Sequence, residues 1–308
     1  MTIDLISTYL YTMRSISFAI LILLFCSCRG QNSRPLPANK DNNSLLWEIS
    51  GKGLSSPSYL FGTFHLMCKS DIKFSESLKT AVKNTDETWM EMDLDDPATM
   101  LSALFVMKMN DDKKLSDLYT ADEYMRLETF FRDSLNTSLR MFKNMKPAFL
   151  EAMLYTKMLP CKTVQGVEEG LMKLAKENKK EIKGLETMAF QASVFDSIPY
   201  TNQAKELLKN IDSLNSYRKY FDTMVMVYKS QRLDEIEKLF SKSEFGMDEN
   251  RDLLLDNRNL NWVGQLKPIM KKNSVFIAVG AGHLVGEKGL IELLRKEGYT
   301  VRAIENAK

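Results

Sequence analysis

Histidine is the scarcest reactive residue in this chain, with only His65 and His283 in 308 residues. Any imidazole chemistry must run through those two. No HExxH, GxSxG, Walker phosphate loop or GxGxxG is present, so the zincin, serine-hydrolase and nucleotide-binding readings fall away. Charge of one sign is not in excess either. With 42 basic against 40 acidic residues, the chain lacks the electrostatic footprint of a nucleic-acid binder. Repeats of solenoid period are missing. A composition 44% hydrophobic and 27% charged fits one large globular domain and excludes both a disordered chain and a multispanning membrane protein.

Long apolar runs are confined to the N-terminus. Ile16 to Phe25 follows Arg14 and stops at Cys26, Ser27 and Cys28, which reads as a secretion signal rather than a spanning helix, with Met13 the more natural start. A small residue directly before a cysteine, after bulky apolar residues, is the pattern of a lipoprotein cleavage site. Residues 1–28 are therefore expected to be a lipoprotein signal, with Cys28 as the acylated N-terminus of an extracytoplasmic, membrane-anchored protein; cleavage nearby without lipid is the alternative. Residues 29–44 are polar and contain proline, the composition of a tether, leaving 45–308 as the folded domain. Cys68 and Cys161 remain. In an oxidising compartment an even pair favours a disulfide. The rival reading makes Cys68, three residues after His65, a metal ligand, but no CxxC or HxxxH companion supports it.

The two histidines share a context. Tyr59 to Leu66 reads YLFGTFHL and Val275 to Leu284 reads VFIAVGAGHL, so each histidine ends a strand-like run and has glycine three residues before it. With 14 glycines in the chain, that coincidence has a chance of roughly 0.002. Gly280 and Gly282 are expected to give the second turn backbone conformations closed to residues with a Cβ, and the GTFH stretch opening at Gly62 makes the first turn. After His283 come a helical pattern through Leu290, Leu293 and Leu294, a stop at Gly298 and a strand from Tyr299 to Ile304. After His65, Ser75 can cap a helix reaching about Lys83, and Glu87 to Leu94 is a strand. The order strand, GxxH, helix, strand thus occurs twice. It predicts an α/β fold whose central sheet is formed by the two terminal segments, with both histidines at carboxyl ends of strands, where open sheets place ligands. Alternation in the Glu87–Leu94 strand puts Glu91 opposite Met90 and Met92, and a carboxylate there must face water, a cation or a site.

The middle, Leu115 to Lys272, reads as a helical cover with one sheet-like stretch near Glu181 to Leu185. Thr120 with Glu123 forms a capping box, Pro147 and Pro199 suit first helical positions, and Leu207, Leu208, Ile211, Leu214, Tyr217 and Phe221 recur at helical spacing. The 19 methionines read as core filling. Glu168 and Glu169 are expected to open a helix through Lys179 and to serve its dipole. Glu186, at a strand end after Ile182 and Leu185, is equally a helix N-terminal carboxylate or a site residue.

These features together resemble the TraB/GumN family, which includes the Tiki-type proteins, over roughly residues 45 to 305. The resemblance rests on Gly62 to His65, Gly280 to His283, the acidic Glu91 in the strand after the first motif, GLET at Gly184 to Thr187, and the pair Arg258 and Asn259. Where the family commonly has an acidic residue before glutamine, Phe190 precedes Gln191 here, so no role is carried over to Gln191. The resemblance implies a metal-dependent, peptidase-like hydrolase site. In it His65, His283 and Glu91 are expected to be metal ligands or acid and base, and Glu186 and Arg258 to support them, the guanidinium orienting a carboxylate. Two imidazoles and a carboxylate leave a coordination position for water and suit zinc, manganese, cobalt or iron(II). A peptide or protein is the expected substrate. The alternative is a binding module that holds a metal, haem or peptide in the same pocket without turnover. The sequence sets neither the oligomeric state nor the metal.

Overall fold

The computed structural model describes residues 36–39, 43–241 and 250–307. The chain runs β1 (Leu46–Ser50), β2 (Ser58–Thr63), β3 (Met67–Cys68), α1 (Glu76–Asn84), β4 (Glu87–Met92), α2 (Pro97–Val106), α3 (Ala121–Leu135), α4 (Pro147–Met158), β5 (Val164–Gln165) and α5 (Val167–Glu177). It continues with β6 (Glu181–Glu186), α6 (Met188–Asp196), α7 (Tyr200–Asp212), α8 (Leu214–Ser230), α9 (Leu233–Ser241), α10 (Asn257–Lys272), β7 (Val275–Gly280), α11 (Leu290–Lys296) and β8 (Thr300–Ala303).

Six strands form one sheet in the order β6-β4-β7-β2-β1-β8. β7 lies in the middle because Val275 to Val279 are all buried, the continuous apolar run that a strand covered on both faces requires. It pairs in parallel with β2, Thr63 opposite Gly280, and with β4, Met90 opposite Ala278. β6 extends this parallel set beside β4, while β1 and β8 close the other side antiparallel. The sheet therefore draws on both terminal segments, as expected, and also takes β6 from the middle. Because β2, β7, β4 and β6 run the same way, their carboxyl ends share one edge. The helices α3, α4, α7 and α8 bury a second apolar cluster, around Leu127, Phe131, Leu150, Leu154, Leu207 and Phe221.

Local signals act where the sequence placed them. Ser75 caps α1 through its side chain, Thr120 and Glu123 form a reciprocal capping box on α3, and Pro147 begins α4. Pro199 stands one residue earlier than expected, as the cap of α7. The apolar series from Leu207 to Phe221 is divided at Ser213 between α7 and α8. Cys68 and Cys161 form a disulfide.

Two expectations need correction. Residues 36–39, inside the stretch read as a tether, lie against the sheet: Leu36 is buried, Ala38 bridges Ile304, and the Asn39 N–H donates to Ala303 O at 3.0 Å. The motif glycines also serve a different purpose. None of Gly62, Gly280 and Gly282 has a positive φ, unlike Gly286 and Gly298. Gly62 and Gly280 are needed for space, since a Cβ on Gly62 would lie 3.1 Å from Ala281 Cα and from Leu284 Cδ2, and one on Gly280 3.2 Å from Glu91 Oε1.

Candidate active site

His65 leaves β2 two residues beyond Thr63, and Phe64 pins this exit by packing on Tyr228 and Phe221 with ring centroids 5.1 and 5.9 Å apart. The His65 side chain is 72% exposed, yet its Nδ1 lies 2.8 Å from Oε1 of Glu168, a side chain only 14% exposed. The Thr63 hydroxyl donates to the same oxygen at 2.5 Å. An ionised carboxylate can only accept. His65 Nδ1 therefore carries the proton. Desolvation opposes charge on this ring, but the adjacent Glu168 carboxylate outweighs it and raises His65 to about 9, with the solvated side of the ring screening part of that attraction.

The second motif is held differently. His283 follows β7 in a 3-10 turn, Ala281–Leu284, and is buried. Its Nε2 lies 3.2 Å from Arg258 Nη1, and its Nδ1 lies 2.7 Å from Asn259 Oδ1. Because a guanidinium only donates, Nε2 must accept and Nδ1 must carry the hydrogen. Burial, reinforced by Arg258 and His65 against the pull of Glu91, pushes His283 down to about 3, so it is neutral under physiological conditions.

Arg258 is the hub. It is the second residue of α10, directly after a π-helical segment, Asp252–Asp256, a distortion frequent at functional sites. All five of its N–H donors are used. Nε donates to Glu186 Oε1 at 3.0 Å, and Nη2 to Glu186 Oε2 at 2.8 Å and Glu91 Oε2 at 2.7 Å. Nη1 serves Leu254 O at 2.8 Å besides His283. The guanidinium stacks on Trp262, whose indole N–H donates to Glu186 Oε1 at 2.9 Å. Burial would raise the Glu91 carboxyl, but His283, Arg258 and His65 and the Gly280 N–H hold it well below the usual carboxylate range. With His283 neutral, the Arg258 charge carries this effect. Glu91 Oε1 accepts from Gly280 N–H at 2.8 Å, and Oε2 also accepts from Gln191 Nε2 at 3.1 Å.

These groups converge on one point. A Cβ added to Gly280 would lie 3.2 Å from Glu91 Oε1, 3.6 Å from His65 Nε2 and 3.7 Å from His283 Cδ2. The glycine thus leaves a cradle at the carboxyl edge of the sheet. The structure brings His65, Glu91 and His283 around it, with Arg258 and Glu186 behind Glu91. Their roles are not equivalent, because His283 turns a ring carbon to the cradle and both its nitrogens are engaged. Two donors, His65 Nε2 and Glu91 Oε1, face the space. Among the described residues no group of three or more His, Cys, Asp or Glu is placed to hold a metal ion. The three-ligand set expected from the sequence is therefore assembled in space without fitting a metal in this arrangement, since Arg258 takes the lone pair of His283 Nε2.

The sequence profile of the TraB/PrgY/gumN family matches residues 45–303. This chain belongs to the TraB/PrgY/gumN family. Both GxxH motifs, Glu91, Glu186 and the Arg258–Asn259 pair lie inside the matched region. Among curated proteins the chain is similar to zebrafish (Danio rerio) metalloprotease TIKI2, 24% identical over 86% of this chain and 61% of that protein. Zebrafish metalloprotease TIKI1 is 21% identical over 85% of this chain and 63% of its own length, and TIKI2 of Xenopus tropicalis 23% over 88% and 62%. The chain thus spans 61–63% of the length of these relatives. No solved structure matches the chain.

Sequence reasoning missed three members of the site. Glu168 was assigned to the α5 dipole, and its partner lies 103 residues away. Helical spacing held a signal: Glu168 stands three and seven residues before buried Leu171 and Ala175, whereas Glu169 is exposed. Gln191 was set aside for its unusual neighbour Phe190, yet its amide reaches Glu91. Trp262 lies in no sequence motif and carries the indole that binds Glu186.

Proposed function

We propose that this chain is an extracytoplasmic, lipid-anchored hydrolase of peptide bonds, acting at the Gly280 cradle. The observation that carries the reading is the convergence of an exposed His65 Nε2 and an ionised Glu91 Oε1 on one glycine-lined space, in a chain whose curated relatives are named metalloproteases.

Arg258, Gln191 and the Gly280 N–H fix Glu91, so that Oε1 can hold a water beside the cradle. As the water oxygen attacks the peptide carbonyl, its proton passes to Glu91. Charged His65 delivers its Nε2 proton to the departing nitrogen, and the C–N bond breaks to give an acid and an amine. The proton on Glu91 then returns through solvent to His65, restoring the starting state. A metal supplies Lewis acidity to the enzymes whose names imply one. Here a divalent zinc, manganese, cobalt or iron ion would meet only two facing donors, and no step above is drawn through it. Peptides or proteins outside the cytoplasm are the substrate class. The disulfide between Cys68 and Cys161 supports an oxidising compartment. Cys28, the proposed acylation site, lies outside the described residues, and no helix among the described residues is long and apolar enough to cross a membrane.

The deciding experiment is turnover of a broad peptide library, read by mass spectrometry, with metal content measured in the same samples. Glu91→Gln keeps the side-chain shape and should abolish cleavage while the far-UV circular dichroism stays unchanged. A folded wild type that binds peptides but releases no product with any of several metals would overturn the hydrolase reading and leave a binding module. For the anchor, Cys28→Ser should move the protein from membranes to the soluble extracytoplasmic fraction; unchanged retention and mass would refute it.

A further inference from the structure

We propose that Glu168 is the positioning residue of His65, holding its Nδ1–H and thereby turning Nε2 to the Gly280 cradle. Its effect on turnover rests on the hydrolase reading above; its effect on the imidazole does not.

The two histidines are oriented by opposite means. His283 is buried and gripped on both nitrogens by Arg258 and Asn259. His65 is mostly exposed, so packing leaves its ring free to turn about the Cβ–Cγ bond. Of the four ring nitrogens, three are engaged, and His65 Nε2 is the one that faces the cradle. What aims it is the bond from Nδ1 to Glu168 Oε1 at 2.8 Å. That oxygen is itself fixed by the Thr63 hydroxyl at 2.5 Å. A carboxylate serving only the helix dipole would keep its oxygens for the amides of its own first turn. Glu168 accepts from its own backbone N–H but also directs Oε1 out of α5, across to the end of β2.

The backbone is built to hold this pair together. Gly166 lies so close to the His65 segment that a Cβ there would come within 2.8 Å of both His65 O and Glu168 Oε2. Val167 N–H donates to Phe64 O at 3.0 Å, and Lys69 N–H to Thr163 O at 3.1 Å. β3 pairs with β5, Met67 opposite Gln165 and Cys68 opposite Val164, and the disulfide joins Cys68 to Cys161 just beyond. The stretch that carries His65 is thus zipped along its length to the stretch that presents Glu168. Such carboxylate–imidazole supports fix tautomer and ring orientation, and their removal typically costs about 10–100-fold in function.

Having only two histidines makes the test direct. In the full chain, carried in detergent with a histidine-free affinity tag and labelled with 15N-histidine, long-range 1H–15N spectra report two imidazoles, assigned by His65→Asn and His283→Asn. The expected wild-type His65 signal is that of a ring with hydrogen-bonded Nδ1–H in slow exchange. Glu168→Gln should lose that signature while His283 keeps its own, and Glu168→Asp should restore part of it. In parallel, Glu168→Gln should lower kcat about 10–100-fold with KM little changed. A His65 pattern unchanged by Glu168→Gln would overturn the proposal whatever the activity. If the wild type turns over no peptide, the hydrolase reading fails while the spectra still decide the role of Glu168. Should Glu168→Gln not fold, Glu168→Asp draws the carboxylate back by one methylene and should shift the His65 Nδ1–H signal, so a spectrum identical to the wild type's would be equally decisive against the proposal.

Discussion

Replacing Arg258 by leucine removes the cation shared by Glu91, Glu186 and His283 while keeping much of the side-chain volume. Glu186 is only 1% exposed and Glu91 11%, so the variant leaves two carboxylates facing each other with little water to take the place of the guanidinium. Removing one partner of a buried ion pair costs about 3–5 kcal/mol, and the lost stacking on Trp262 adds about 0.5–2 kcal/mol. A loss of about 4 kcal/mol is expected at pH 7.5, against about 0–1 kcal/mol for Arg126→Leu, which breaks the exposed pair with Asp212. The sign with pH follows from Glu91. In the wild type its folded pKa is depressed, so its contribution is present above the unfolded value of about 4.3 and is lost in acid. Without Arg258 burial dominates and raises it, so the folded variant gains relative stability as the pH falls towards that value. The penalty should shrink by about 1.4 kcal/mol per pH unit once Glu91 begins to take up its proton. Urea unfolding at pH 7.5, 6.5 and 5.5 measures both quantities, and adding Glu186→Gln should recover part of the loss. A penalty under about 1 kcal/mol, or one that grows in acid, would refute the assignment of Arg258 as the counterion.

Three further outcomes follow from the same geometry. Gly280→Ala needs no unusual φ, so stability should change by no more than about 1–3 kcal/mol, whereas turnover should fall at least about 100-fold because the methyl occupies the cradle; unimpaired cleavage would show that the reaction lies elsewhere. His65, raised to about 9 by Glu168, contributes stability that is full below its unfolded value of about 6.5 and is lost as pH rises through about 9. Thermal melts should accordingly show the wild type's advantage over Glu168→Gln at pH 6 disappearing by about pH 10, and an advantage that persists in alkali would contradict the pairing. The disulfide closes a sequence separation of 93 residues, for which loop entropy gives about 4–5 kcal/mol; a Cys68→Ser, Cys161→Ser protein with an unchanged urea midpoint would show that β3 and β5 alone suffice.

Much of the frame was legible because it is written in short-range patterns. The apolar runs ending at GTFH and GAGH specify β2 and β7, Ser75 and Gly298 mark the helix boundaries after them, and Glu91 stands out as a carboxylate between Met90 and Met92 of β4. The family resemblance singled out Arg258, yet nothing within ten residues of it reveals that all five of its N–H groups are spent. What stayed hidden is relational. Glu168 and Glu169 are equivalent first-turn acids until α5 is laid beside the His65 segment. The shared glycine and histidine of the two GxxH motifs suggest two equivalent histidines, but their environments are supplied by unrelated stretches, α5 for one and α10 for the other. The motif glycines were legible as necessary; the need is for space, which only the neighbouring strand defines.

The strand order also governs when the molecule can exist. β2 and β4, though early in the chain, never touch across a ladder, because β7 lies between them. While residues up to about 270 emerge from the ribosome, the N-terminal half can form helices but must keep two sheet edges unpaired and waiting. The segment that joins them, β7, is made after both, and the same few residues bring the Gly280 amide to Glu91. Joining of the two halves of the sheet and completion of the site thus depend on the same strand, through contacts of long sequence separation that form correspondingly slowly.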